Sequence, residues 1–277
     1  IASKNVGSNK TVSVGTLALA DGSNGGLAAN YTLSGGTHQL TVNQRPLNAT
    51  LARQYDGTTT AAGSDLSSFD ALQGGETLTM TGSGTAASAN VANGIAMSSN
   101  GTLALADGTG LASNYSLNST VINIAQRVLN SSGSKTYDAN TDALAGAITL
   151  SNLVSGEALN HSGTATIGSA NAGSYTITNL AGITIADGSG GTASNYTLTG
   201  GTHNFTVNTK VVSIQGNKIY DSNTTISSGD ITSVSDTVGS ETLVISGGSG
   251  TVSSANAATY ASASINEGTL TLGNGSN

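Results

Sequence analysis

Leu47-Asn48-Ala49-Thr50-Leu51 alternates apolar and polar side chains at period two and leads into Tyr55-Asp56-Gly57. Successive side chains of an extended strand face opposite ways, so the run reads as a half-buried strand closed by a turn. Leu78-Thr79-Met80-Thr81, Leu103-Ala104-Leu105 and Val121-Ile122-Asn123-Ile124 read the same way. Gly74-Gly75, Asn100-Gly101 and Asp107-Gly108 separate these runs, and such residues accept the positive φ of tight turns. No segment sustains a helical period. About seven or eight short strands, with turns at roughly 8–12-residue spacing, predict an antiparallel β-sandwich or a related compact all-β module.

The words of this stretch return along the chain. Tyr55-Asp56-Gly57 recurs as Tyr137-Asp138-Ala139 and Tyr220-Asp221-Ser222, at offsets of 82 and 83 residues. Asn30-Tyr31-Thr32-Leu33 recurs as Asn114-Tyr115-Ser116-Leu117 and Asn195-Tyr196-Thr197-Leu198, at offsets of 84 and 81. Gly15 to Gly22 returns letter for letter at Gly101 to Gly108. Self-similarity at a fixed period marks a tandem array. The expected division is 1–45 as the second part of a preceding copy, 46–127 and 128–210 as complete copies, and 211–277 as a shortened one. Gln44-Arg45-Pro46-Leu47 and Gln126-Arg127-Val128-Leu129 pass between copies without a Gly/Ser linker, which predicts stiffly abutting modules in a rod. A β-solenoid is the alternative, disfavoured because no finer period divides the copies.

Composition narrows the class. Charged residues make up 8% of the chain, against roughly 25% in ordinary globular proteins. With 38 Gly, one Pro, no Trp and two Phe, the cores must be thin. Six of the eight Tyr lie in the two recurring words, so these rings are expected to anchor the packing. The net charge of −7 argues against nucleic acid, whose phosphates attract a basic stripe. No stretch approaches the ~18 apolar residues of a membrane-spanning helix. The absence of cysteine removes disulfides and thiol chemistry. A cysteine-free Ser/Thr/Asn/Gly-rich array is the composition expected of a large secreted bacterial surface protein.

Taken in order, these words resemble the YDG repeat domain of filamentous-haemagglutinin-like bacterial adhesins. The match rests on Tyr55-Asp56-Gly57, on Lys4-Asn5-Val6-Gly7 followed by Lys10-Thr11-Val12-Ser13-Val14, on Ala20-Asp21-Gly22 and on Asn30-Tyr31-Thr32-Leu33. The Asn-Val-Gly element returns as Asn90-Val91-Ala92, Asn171-Ala172-Gly173 and Asn256-Ala257-Ala258. Only the first Tyr-Asp word carries Gly at its third position, so its turn is expected to differ between copies. The resemblance implies export by two-partner secretion, a place at the cell surface or outside the cell, and a stalk role in attachment or biofilm cohesion.

No Gly-x-Ser-x-Gly elbow, Walker loop, dinucleotide fingerprint or His-Glu-x-x-His is present, and the chain reads as non-enzymatic. His38 and His203 share a repeat position that holds Thr120 in the intervening copy, so they read as solvent-facing strand residues. Nine of the 15 acids recur: Asp56, Asp138 and Asp221; Glu76, Glu157 and Glu241; Asp21, Asp107 and Asp187. One Ca²⁺ per copy is the sole cofactor they suggest, and Asp capping its own turn is the simpler reading. Arg53, Lys135 and Lys218, two residues before the motif Tyr, read as ion-pair or packing residues. Tyr175 and Tyr260 are the aromatics left over for a contact surface. The structural motif residues are Tyr55, Asp56, Tyr137, Asp138, Tyr220, Asp221, Asn30, Tyr31, Asn114, Tyr115, Asn195 and Tyr196. Expected partners are neighbouring repeats, other copies laterally, and extracellular polysaccharide. The alternative function is a repeated carbohydrate- or ice-binding module.

Overall fold

The structure, a computed structural model, describes residues 1–275. Its contacts divide into two compact units, each of which takes segments from more than one stretch of chain.

The first unit comprises Ile1–Arg127, Val154–Glu157 and Gly190–Thr197. It contains β1 (Gly7–Thr11), β2 (Gln39–Val42), β3 (Arg45–Gln54), β4 (Thr60–Ala62), β5 (Leu66–Phe69), β6 (Leu78–Thr81), β7 (Ser83–Ala86), β8 (Ala92–Ser99), β9 (Ala104–Asp107) and β10 (Tyr115–Ala125). The main sheet runs β4-β7-β8-β10-β3-β5, while β1 pairs with β2 and β6 with β9. Its pairs are antiparallel except at the centre, where β3 and β10 run parallel from Arg45↔Tyr115 to Gln54↔Ala125. The predicted strand at Leu47 lies here, and Leu47, Ala49 and Leu51 are fully buried on alternate positions. Leu47, Leu78 and Tyr115 form a core between the sheet and the antiparallel β6–β9 pair, flanked by Phe69, Leu72, Leu105 and Leu117.

Next come β11 (Arg127–Val128), β12 (Asn130–Thr136), β13 (Asp142–Leu144), β14 (Ile148–Ser151), β15 (Leu159–Ile167), β16 (Gly173–Asn179), β17 (Ile183–Asp187), β18 (Tyr196–Thr197) and β19 (His203–Asn208). The final strands are β20 (Ser213–Gly216), β21 (Thr225–Ser227), β22 (Ile231–Ser235), β23 (Leu243–Gly247), β24 (Ser249–Val252), β25 (Ile265–Asn266) and β26 (Thr271–Asn274). The second unit comprises Val128–Leu153, Ala158–Ser189 and Leu198–Asn277.

The second unit's main sheet runs β13-β15-β16-β19-β12-β14, the order of the first unit repeated element for element, with β12 and β19 as the parallel pair. Phe205 and Val207 of β19 are buried among Ile148, Ala165, Ile167 and Ile177. Gly133 of β12 lies where a Cβ would come 2.3 Å from the Ala147 carbonyl oxygen and 2.7 Å from the Phe205 ring, so close backbone and ring together demand glycine. After β19 the same pairings start again as β20-β22, β21-β24-β25 and β23-β26.

The fold is therefore all-β and built from repeated modules, as the alternation predicts. In the two complete copies the first and last strands run side by side in the same direction, a parallel pair that the alternation did not disclose. Among the described residues neither unit contains the stacked coils of a solenoid.

Candidate functional site

The recurring words converge in the first unit around one carboxylate. A 3₁₀ turn at Ala193–Asn195 precedes Tyr196. Equivalent turns precede Tyr31 and Tyr115, and there Asp21 and Asp107 accept from the Ala28 and Ala112 N–H groups at 2.7 Å. Each such turn leaves the following Tyr in extended backbone.

Asn195 is buried and fully engaged. Its Oδ1 accepts from the Val91 N–H at 2.9 Å, and its Nδ2 donates to Asn90 Oδ1 at 3.0 Å. Tyr196 lies edge-on to Tyr55, with ring centroids 5.4 Å apart and an interplanar angle of 79°. That T-shaped geometry sets the positive edge of one ring against the negative face of the other. Both hydroxyls donate to Glu157: Tyr55 to Oε1 and Tyr196 to Oε2, each at 2.6 Å. The Tyr196 hydroxyl also accepts from the Val154 N–H at 3.0 Å. Burial, then the hydrogen bond to Glu157 and its negative charge, raise the Tyr55 hydroxyl above its ordinary pKa. Burial, followed by the same carboxylate, pushes Tyr196 up to about 12.

Two other copies assemble part of this set. In the first unit Tyr115 donates to Glu76 Oε2 at 2.5 Å, and Asn114 holds the Val6 N–H and Asn5 as Asn195 holds Val91 and Asn90. No second Tyr meets Glu76; Lys4 Nζ lies 3.3 Å from Oε1 instead. The hydrogen bond from Tyr115, then the Lys4 ammonium, lower the Glu76 pKa. In the second unit Tyr137 donates to Glu241 Oε1, and that carboxylate raises its pKa. Tyr31 and Tyr220 are 70% and 63% exposed. Asn30 is exposed with Tyr31.

The Asp of each Tyr-Asp word closes its own turn. Asp56, Asp138 and Asp221 accept from the N–H two residues on, at 2.9, 3.2 and 3.1 Å. Arg53, Lys135 and Lys218 form the ion pair three residues before each Asp. The third position has φ of 79° at Gly57, 62° at Ala139 and 67° at Ser222. The turn is thus the same in all three copies, correcting the expectation from its changing residue. Backbone demand outlasts the glycine.

Other expectations also change. His203 is buried, not solvent-facing: Nε2 lies 2.8 Å from the Leu198 carbonyl and Nδ1 2.9 Å from Ser131 Oγ. The hydroxyls of Tyr175 and Tyr260 donate to the carbonyls of Asn171 and Asn256, four residues back. Both rings are half-buried. Among the described residues no three His, Asp or Glu side chains converge as a metal site, and no helix is long and apolar enough to cross a membrane.

Sequence reasoning noted the recurring glutamates but missed what they hold. The available signal was spacing: Glu76 precedes Tyr115, and Glu157 precedes Tyr196, by 39 residues each. The arrangement is a clasp of buried aromatic hydroxyls on one carboxylate. It ties Tyr55 and Tyr196 to Glu157.

The YDG domain pattern matches the chain twice, over residues 38–122 and 125–204. No curated protein and no solved structure matches it.

Proposed function

The chain belongs to the YDG domain family, and from that premise we propose that it is a non-enzymatic stalk segment of a large secreted bacterial adhesin of the filamentous-haemagglutinin-like kind. It would extend a distal binding region from the cell surface for attachment or biofilm cohesion. The observation carrying this reading is the clasp, in which Tyr55 of one copy shares Glu157 with Tyr196 of the next. Its most strongly recurring residues are thereby spent on joining repeats, leaving them unavailable for a substrate. The parallel β3–β10 pair supports the same use, because the chain leaves a copy travelling in the direction in which it entered.

Small-angle scattering on this chain, with and without EDTA, tests the reading. The expected result is an elongated particle that the chelator leaves unchanged. A compact particle overturns the stalk, and loosening in EDTA would assign the recurring acids to calcium.

A further inference from the structure

The lysines beside the Tyr-Asp words hold more than an ion pair. Lys135 Nζ lies 2.8 Å from Asp138 Oδ1, 2.7 Å from Asn140 Oδ1, and 2.8 Å from the carbonyl oxygens of both Asn140 and Asp142. An ammonium has three N–H bonds to share among four such oxygens. The Lys135 side chain is 13% exposed, and these contacts fix its nitrogen against the Asn140 amide. Asn140 Oδ1 also accepts from the Asp142 N–H at 2.9 Å, so a fixed backbone donor polarises that amide carbonyl.

The set recurs in the next Tyr-Asp word. Lys218 Nζ donates to Asn223 Oδ1 at 2.9 Å and to Asp221 Oδ2 at 2.5 Å. Asn223 Nδ2 donates to the same Asp221 oxygen at 2.6 Å, and the Thr225 N–H holds Asn223 Oδ1 at 2.9 Å. One carboxylate thus touches both the amine and the amide nitrogen. The first word differs at both positions together, with Arg53 for the lysine and Thr58 for the asparagine. There Arg53 donates to the Thr58 carbonyl at 2.5 Å, and Thr58 Oγ1 to Asp56 Oδ1 at 3.0 Å. A guanidinium keeps its proton and a threonine carries no amide, so that word keeps the ion pair alone. Lysine and asparagine come and go as a pair, five residues apart, which an ion pair with a turn cap does not require.

We propose that Lys135 joins Asn140, and Lys218 joins Asn223, through an amide bond from Nζ to Cγ. Asp138 accepts a proton from the Lys135 ammonium, and the freed lone pair on Nζ attacks Asn140 Cγ. The carbonyl π pair moves onto Oδ1, where the Asp142 N–H receives it. The Asp138 carboxyl then gives its proton to Nδ2, and the Cγ–Nδ2 bond breaks as the carbonyl re-forms. The extra proton left on Nζ passes to the departing ammonia. Ammonium leaves with the lysine's charge, Asp138 ends as a carboxylate, and no oxidant is consumed. Amine, amide and carboxylate already in contact supply the proximity that the same step lacks between free reactants. The bond closes the chain over Tyr137–Ala139 and ties β12 to the approach to β13. This inference stands apart from the stalk reading, because a chain that proves compact in scattering can still form the bond.

The intact mass of the full chain in denaturant, taken after prolonged incubation at neutral pH, tests it. Two bonds lower the mass by about 34 Da, one ammonia of about 17 Da for each. Lys135→Arg and Asn140→Thr install the first word's own residues, so they spare the turn, and each should return one ammonia's mass. Trypsin should fail to cut after Lys135, and fragmentation of that peptide should give no break between residues 135 and 140. A succinimide at an Asn-Gly step such as Asn100-Gly101 loses the same mass, but it leaves Lys135 open to trypsin. A chain at its full sequence mass, a loss unchanged by Lys135→Arg, or complete cleavage after Lys135 overturns the proposal.

Discussion

Tyr55 and Tyr220 begin matching words, each follows a basic residue (Arg53 and Lys218) and each precedes an Asp-capped turn, yet one is 5% exposed and the other 63%. Tyr55 meets Glu157 and the Tyr196 ring, whereas among the described residues Tyr220 meets neither a carboxylate nor a second ring. Tyr137 falls between, with Glu241 but no second ring, and is half-buried. Burial thus follows the partners delivered by the next copy, and the local word only presents the ring. The repeat is a half-site whose completion lies about a hundred residues downstream.

The strongest way to break this comparison is to remove the second ring. Tyr196→Ala is expected to cost about 3–5 kcal/mol in chemical unfolding, as for other buried aromatics. Tyr31→Ala, at an exposed copy of the same word, should stay within about 0.5 kcal/mol. Equal losses would show that the word matters by itself.

Removing the shared acceptor comes next. Glu157→Ala strands two hydroxyls and is expected to cost about 3 kcal/mol, whereas Glu241→Ala strands one half-buried hydroxyl and should cost about 1. Equal effects in denaturant titrations would dissolve the distinction between complete and partial clasps.

Alkali sharpens the comparison without mutation. Tyr196 has its pKa raised from 10.0 to about 12, so the folded state holds the proton more tightly than the unfolded chain. Its contribution is complete below about pH 10 and is lost as pH rises through about 12, a change of about 2–3 kcal/mol. Stability against pH should show this fall in the first unit, and Tyr196→Phe should flatten it.

The smallest effect lies in the turn. Ala139 holds φ at 62°, a left-handed conformation that glycine adopts without a Cβ penalty. Ala139→Gly should therefore gain about 0.5–1 kcal/mol after its entropic cost. Gly57→Ala should lose stability, because its Cβ would come 2.9 Å from Val154 Cγ1.

Much of the fold was legible because strand signals are local. Leu47, Ala49 and Leu51 declare one buried face, and Gly and Asp mark the turns. His203 was misread because its burial depends on Ser131 and the Leu198 carbonyl, which the His word alone does not encode. The glutamates were visible as recurring acids but not as acceptors, because a carboxylate looks the same in sequence whether it binds calcium, solvent or two tyrosines.

By itself the sequence determined the period, the strand faces, the capped turns and the rings available for packing. These follow from side-chain alternation and short-range hydrogen bonding, which act over a few residues. Tertiary structure alone decided the parallel pairing of first and last strands. It also brought Glu157 to Tyr55 across 102 residues of chain. At that separation the meeting is set by sheet register and by the burial that makes a shared carboxylate the favourable partner for two hydroxyls, and no local pattern records either.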